Sequence, residues 1–213
     1  MSSNAHFPLL SDALAPAQET PSEQPPLRSP FASKNAQKKR LRPYVTLSHR
    51  WAGPYQDFLT TKANISLRTN ILRYTDLPRT WRDAVTITRR LGFEYLWIDS
   101  LCLVQDDAEE LREEIKKMED IYSRAALTIA ATSAEGCEAG FLRRYPPFGS
   151  QARSTSSFTM EVKLSGLNTR GWVFQERALS WRRIHFGKLQ TYWECGNSMR
   201  CGFIRRLELG SHF

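Results

Sequence analysis

Short apolar runs alternate with stretches of helical period along the middle of this chain. Residues 44–48, Tyr-Val-Thr-Leu-Ser, form a β-rich run directly after a proline and predict a first strand. His49-Arg50-Trp51-Ala52-Gly53-Pro54 follows as a loop, because Gly-Pro breaks both helix and strand. Residues 55–76 are weakly patterned and suggest one irregular helix. From Pro78, which suits a first-turn position, Trp81, Ala84, Val85, Thr88 and Leu91 share one helical face, and Gly92 is a natural stop. Arg79, Arg82, Asp83, Arg89 and Arg90 occupy the opposite, solvated face.

The strongest pattern is Tyr95 to Asp107, YLWIDSLCLVQDD. Residues 93–98 predict a central buried strand that carries Asp99 to the sheet edge, and Asp106 and Asp107 can cap the next helix. Leu111, Ile115, Met118, Tyr122 and Ala125 mark the buried face of one helix, with its acids ahead of Lys116 and Lys117, as the helix dipole favours. Residues 126–131 predict a third strand. This order implies a parallel sheet with helices on its faces. Residues 132–167 read as a long connection, with a short strand at 158–164. Residues 170–179 read as a helix with Trp172, Gln175, Glu176 and Leu179 on one face. Residues 183–186 and 189–194 flank a two-residue Gly187-Lys188 turn and predict a hairpin.

The first 43 residues hold seven of the eleven prolines and show no apolar period. Such a segment cannot offset its ordering entropy by burial. The expected organisation is therefore a disordered basic and proline-rich tail over 1–42, one folded domain over 43–204, and a frayed or truncated end over 205–213. The cluster Lys38-Lys39-Arg40-Leu41-Arg42 reads as a solvated linker or as a nuclear-localisation or phosphate-binding patch.

The 213 residues suffice for one sizeable α/β domain, and 41% hydrophobic with 24% charged residues is ordinary for a folded protein. The net charge of +8 and a pI of about 9.5 permit phosphate-bearing, nucleic-acid or anionic-membrane partners without selecting one. No apolar run is long enough to span a bilayer and no signal-peptide pattern begins the chain, so a cytoplasmic location is expected. Cys102, Cys137, Cys195 and Cys201 match no disulfide or zinc spacing, which favours a reducing compartment.

In an open parallel sheet, ligands bind beyond the carboxyl ends of the strands. That logic gathers Ser48, His49, Arg50 and Trp51 with Asp99, Ser100, Thr132 and Ser133, and lets Arg170, Trp172 and Glu176 approach from the following helix. Such a rim suits an anionic ligand with an aromatic ring. A Cys-His nucleophile lacks a local pair, and a zinc site at His185, Cys195 and Cys201 lacks a fourth ligand. Asp99, Asp106 and Asp107 could hold Mg²⁺, although capping accounts for the last two. No GxGxxG, Walker loop or nucleophile elbow occurs.

Four runs, YVTLSHRWAG, LPRTWRDAVTITRRLGFEYLWIDSLCLVQDD, KKMEDIYSRAALTIAATSA and RGWVFQERALSWRRIHFGKLQTYWECG, resemble in order the fungal heterokaryon-incompatibility (HET) domain over most of 44–196. Two departures stand out: Ser48-His49-Arg50-Trp51-Ala52-Gly53 has one residue more before its glycine than the usual family loop, and the connection between Leu142 and Arg170 is short.

HET domains are in turn similar to TIR domains. The resemblance implies a TIR-like, flavodoxin-like α/β fold, with a parallel sheet, flanking helices and a C-terminal β-hairpin. It also aligns Trp172-Val173-Phe174-Gln175-Glu176 with the TIR segment that carries the catalytic glutamate, with Val173 in place of a cysteine. It thus implies NAD⁺ as substrate, no required cofactor, Glu176 as the catalytic carboxylate, and Ser48, Arg50, Trp51, Asp99, Arg170 and Trp172 as substrate-binding residues. It further implies fungal innate immunity and programmed cell death through homo-oligomers or other HET, TIR-like or NLR-type partners. Membrane and nucleic-acid partners are not expected; the chain lacks the aromatic interleaving of single-strand binders. The alternative from the same resemblance is a non-catalytic adaptor acting through homotypic contacts.

Overall fold

The structure, a computed structural model, describes residues 42–52, 58–70, 72–142, 158–169, 171–196 and 198–202. Residues 1–41 of the proposed tail and the whole of the 205–213 end lie outside these. Six described strands, β1 (Tyr44–Ser48), β2 (Tyr95–Trp97), β3 (Leu127–Ala130), β4 (Arg182–Phe186), β5 (Thr191–Cys195) and β6 (Ser198–Gly202), form one sheet in the order β2-β1-β3-β4-β5-β6. β1 to β4 are parallel; β5 and β6 continue as an antiparallel meander. This is the expected α/β class, with the parallel sheet, flanking helices and C-terminal hairpin.

The helices are α1 (Ile65–Asn70), α2 (Arg79–Arg90), α3 (Asp99–Cys102), α4 (Ala108–Lys116), α5 (Met118–Arg124) and α6 (Gly171–Leu179). Strand side chains alternate between faces, so the register separates two chemistries. One face carries Val45, Leu47, Leu96, Ile129, Ile184 and Phe186, packed with Trp81, Ala84 and Val85 of α2 in the main core. The other carries Tyr44 and Trp97, covered by Met118, Ile121 and Tyr122 of α5, and then Ala130, covered by Val173 of α6. Burying Trp81 on α2 is worth several kcal/mol, roughly 3–5 by the cost of truncation. Gly92 ends α2 at φ 77°, a left-handed turn that L side chains resist.

Four expectations are corrected. The run at 95–97 is the edge strand of the sheet, not its centre. Its apolar character comes from burial on both faces, Leu96 and Ile98 in the main core and Trp97 against Tyr122. The single helix foreseen with Leu111, Ile115, Met118, Tyr122 and Ala125 on its buried face divides at Lys117, and this break turns Met118, Ile121 and Tyr122 inward while Leu111 stays half-buried. Asp107 caps α4 as foreseen, accepting from the amides of Glu109 and Glu110.

Residues 158–164 form a wide helical turn at Thr159–Lys163 instead of a strand. Val162 is buried beneath it, while Met160 and Leu164 are exposed, so β propensity yields to tertiary placement. The hairpin turn is shifted by one residue from the Gly187-Lys188 reading. The Gly187 amide donates to the Gln190 carbonyl, which leaves Lys188-Leu189 at the tip. The Leu189 amide donates to Glu161, tying the helical turn to the hairpin.

Candidate functional site

Side chains that share the polar face form two rows across the parallel strands. Ser48, Ala130 and His185 are lateral neighbours at the carboxyl ends of β1, β3 and β4, with Thr46, Thr128 and Arg183 one step back. β5 extends both rows, pairing Arg183 with Glu194 and His185 with Tyr192. Helix α6 crosses above. Val173, Glu176 and Ser180 point down together, at the i, i+3 and i+7 spacing that shares a helical face.

Glu176 is buried, and its Oε2 accepts a hydrogen bond from the Ser48 hydroxyl at 2.5 Å. A chain of hydroxyls fixes the end of the helix above it. Ser180 donates to the Glu176 carbonyl at 2.7 Å, so Thr128, 2.8 Å away, must donate to Ser180, and Thr46 to Thr128 at 2.7 Å. The cavity beside Glu176 measures about 10 Å³, near the lower limit for one water. Ser48, Thr128, Thr132 and His185 line it below, and Val162 and Leu167 close it from the side.

A second cluster adjoins the first. Glu194 accepts from His185 Nε2 at 2.8 Å, Arg183 Nε at 3.1 Å and Arg177 Nη2 at 3.3 Å. Burial pushes the Glu194 carboxyl up, but the His185 hydrogen bond and the two guanidinium charges outweigh it and hold the group at about 2. Burial pushes His185 below its ordinary value despite the carboxylate, so its ring is neutral and donates from Nε2. Burial likewise lowers Arg183, against the pull of Glu194. Phe158 covers this cluster, edge-on to His185 and beneath the Arg177 guanidinium at 5.2 Å.

The residues foreseen as a rim are dispersed. Ser48 and Glu176 meet. The Arg50 guanidinium packs against Gly166, where an added Cβ would lie 3.0 Å from its Nη1, beside the 165–168 segment that borders the cavity. His49 is buried under α2 and accepts from the Trp81 indole at 3.0 Å. Trp51 is half-buried next to His49. Asp99 begins α3 and caps the Ser100 amide at 2.8 Å, away from the residues lining the cavity. Arg170 and the Trp172 side chain lie outside the described residues. Arg183 and Glu194 were not anticipated, and His185 was considered only as a nucleophile partner or zinc ligand. Their signal was present as polar residues at every second position of β4, opposite a charged residue on β5.

Among the described residues, no three of His, Cys, Asp and Glu are grouped to hold a metal ion, and no helix is long and apolar enough to cross a membrane. Cys102, Cys137 and Cys195 are thiols.

Strands β1 to β3, the α2 helix and Glu176 itself fall within residues 44–176, the stretch matched by the family model "Heterokaryon incompatibility protein (HET)". This match spans more than half of the chain, and the protein belongs to that family. It is also similar to the Vegetative incompatibility protein HET-E-1 of Podospora anserina, with 31% identity over 93 residues. That alignment covers 41% of this chain and 6% of the relative, so the chain spans a small part of the relative's length. No solved structure matches the chain.

Proposed function

We propose that this chain acts in heterokaryon incompatibility and cell death by cleaving NAD⁺, with Glu176 as the catalytic carboxylate. The observation that carries this reading is the buried Glu176 carboxylate held at 2.5 Å by Ser48, at the carboxyl ends of parallel strands. Hydrolysis would break the bond between the nicotinamide nitrogen and the ribose carbon. Nicotinamide leaves neutral with the bonding pair, water adds to the carbon, and one proton is released with ADP-ribose. The carbon becomes electron-poor in the transition state, and a desolvated carboxylate stabilises that charge. Ser48 orients the carboxylate.

The cavity at Glu176 is too small for a nucleotide, so turnover requires the 158–169 segment to move from α6. Self-association is the proposed trigger, in keeping with the similarity to TIR domains. The same closed cavity favours a second reading, a non-catalytic adaptor that signals through homotypic contacts.

Concentrated protein incubated with NAD⁺ separates the two by nicotinamide release. Catalysis predicts release by the wild type and its loss in Glu176→Ala. Equal release by both excludes Glu176. Death on overexpression that persists in Glu176→Ala supports the adaptor.

A further inference from the structure

Beside the Glu176 cavity lies an open cleft of about 450 Å³, bordered by Lys163, Asn168, Arg177, Ala178 and Arg183. Its volume falls in the range of small-molecule sites, about 300–1,000 Å³. Asn168, Arg177 and Arg183 border both spaces, so the cleft adjoins the carboxylate site.

The charge balance in this wall is incomplete. Arg177 and Arg183 bring two positive charges, and among the described residues both pair with the single carboxylate of Glu194, which also accepts from neutral His185, while the Glu176 carboxylate is held by Ser48. Lys163, exposed at the cleft, adds a third positive charge. Arg183 is 7% exposed, and its Nη1 is buried with no hydrogen-bond partner among the described residues. A buried guanidinium with an unused donor is costly in free energy unless a further acceptor completes it. Asn168 spends its amide on the Val162 and Lys163 carbonyls, which holds the cleft edge rather than adding an acceptor for Arg183.

We propose that Arg183, Arg177 and Lys163 form a binding site for the diphosphate group of a soluble nucleotide. Guanidinium groups suit this role because they donate in pairs to phosphate oxygens. The proposal deepens the NAD⁺ reading and rests on it only for the identity of the nucleotide, whose ribose would then reach Glu176 across the shared wall.

The test is calorimetric titration of the purified chain with inorganic pyrophosphate and with ADP, at low and high salt. Binding that weakens with salt is expected, with about a tenfold loss in Arg183→Gln and a few-fold loss in Lys163→Gln, a surface change that leaves the core untouched. Glu194→Gln removes the competing carboxylate and is expected to bind pyrophosphate several-fold tighter, a sign that damage to the fold would not produce. No binding by the wild type, or wild-type affinity in both Lys163→Gln and Glu194→Gln, overturns the proposal. Capture on vesicles containing phosphatidylinositol phosphate that pyrophosphate does not compete overturns the assignment to a soluble ligand. Pyrophosphate carries no nicotinamide bond, so binding without nicotinamide release removes the cleavage reading alone. Release that survives in Arg183→Gln, with no pyrophosphate binding, removes this site alone.

Discussion

Ser48 donates its hydroxyl to Glu176 at 2.5 Å across 128 residues of sequence, joining the end of β1 to the buried face of α6. A buried carboxylate needs such donors, and a hydrogen bond to a charged group contributes about 1.5–3 kcal/mol. Ser48→Ala is therefore expected to lower stability by about 2 kcal/mol in urea unfolding. Glu176→Gln removes the charge that makes the bond strong, so the double variant should lose about 1 kcal/mol less than the sum of the singles. Strict additivity would show that the two side chains do not support each other.

Acid should weaken the fold through Glu194 and His185, and both act in the same direction. Glu194 sits at about 2 in the folded protein and near its ordinary value when unfolded. Its contribution is complete above about 4.5 and is lost as pH falls toward about 2. His185 is pushed below its ordinary value, so the unfolded chain takes up that proton first, and stability begins to fall as pH drops below about 6.5. Glu194→Gln should cost about 2 kcal/mol at neutral pH, after allowance for its partial exposure, and should flatten the urea midpoint against pH below about 4.5. An unchanged profile between pH 5 and 2 would mean that the cluster carries no linked stability.

Much of this architecture can be read from local pattern, and the part that cannot has a common cause. Trp81, Ala84 and Val85 announce their helix because they meet a continuous apolar face at helical spacing. Asp107 announces its cap because capping involves only adjacent residues. The position of β2 at the edge depends on long-range pairing, to which a hydrophobic run is blind. The charged cluster is of the same kind. Alternation along Arg183-Ile184-His185-Phe186 separates two faces, but only the pairing of β4 with β3 puts Arg183 and His185 on the face with Ser48. Glu176 could be singled out by resemblance and Ser48 by its place at a strand end, whereas their direct contact depends on how α6 crosses the end of β1. Residues 158–164 mislead because Val162 is buried by a helical turn whose C-terminal end is held by Ser165 and Asn168, both donating to the Val162 carbonyl.

The hairpin tip is crowded by design of its register, and Gly187 has no room for a side chain. A Cβ there would lie 2.0 Å from Glu161 Oε2 and 2.8 Å from the Gln190 carbonyl oxygen. Gly187→Ala should therefore destabilise the protein by about 1–3 kcal/mol, the range for overpacking. Shortening the other partner in Glu161→Ala removes the closer contact and also the acceptor of the Leu189 amide. The double variant is expected to be more stable than Gly187→Ala alone, with a residual loss from the Gln190 contact. Thermal unfolding of the three variants decides it, and a double variant weaker than both singles would exclude this contact as the cause.

The hydroxyl chain that ends at α6 has a direction, and direction makes its links unequal. Ser180 uses its proton on the Glu176 carbonyl, so Thr128 donates to Ser180 and Thr46 donates to Thr128. Thr128→Val keeps the shape but leaves the buried Thr46 hydroxyl without its acceptor, an expected cost of about 1–3 kcal/mol. Thr46→Val removes only the first donor and should cost less, since Thr128 retains its own acceptor. Replacing both with valine removes the stranded hydroxyl, so the pair should be no less stable than Thr128→Val alone. Urea unfolding of the three variants measures this order. A larger loss from Thr46→Val than from Thr128→Val would reverse the direction assigned to the chain, and with it the account of how β1 and β3 hold the Glu176 helix in place.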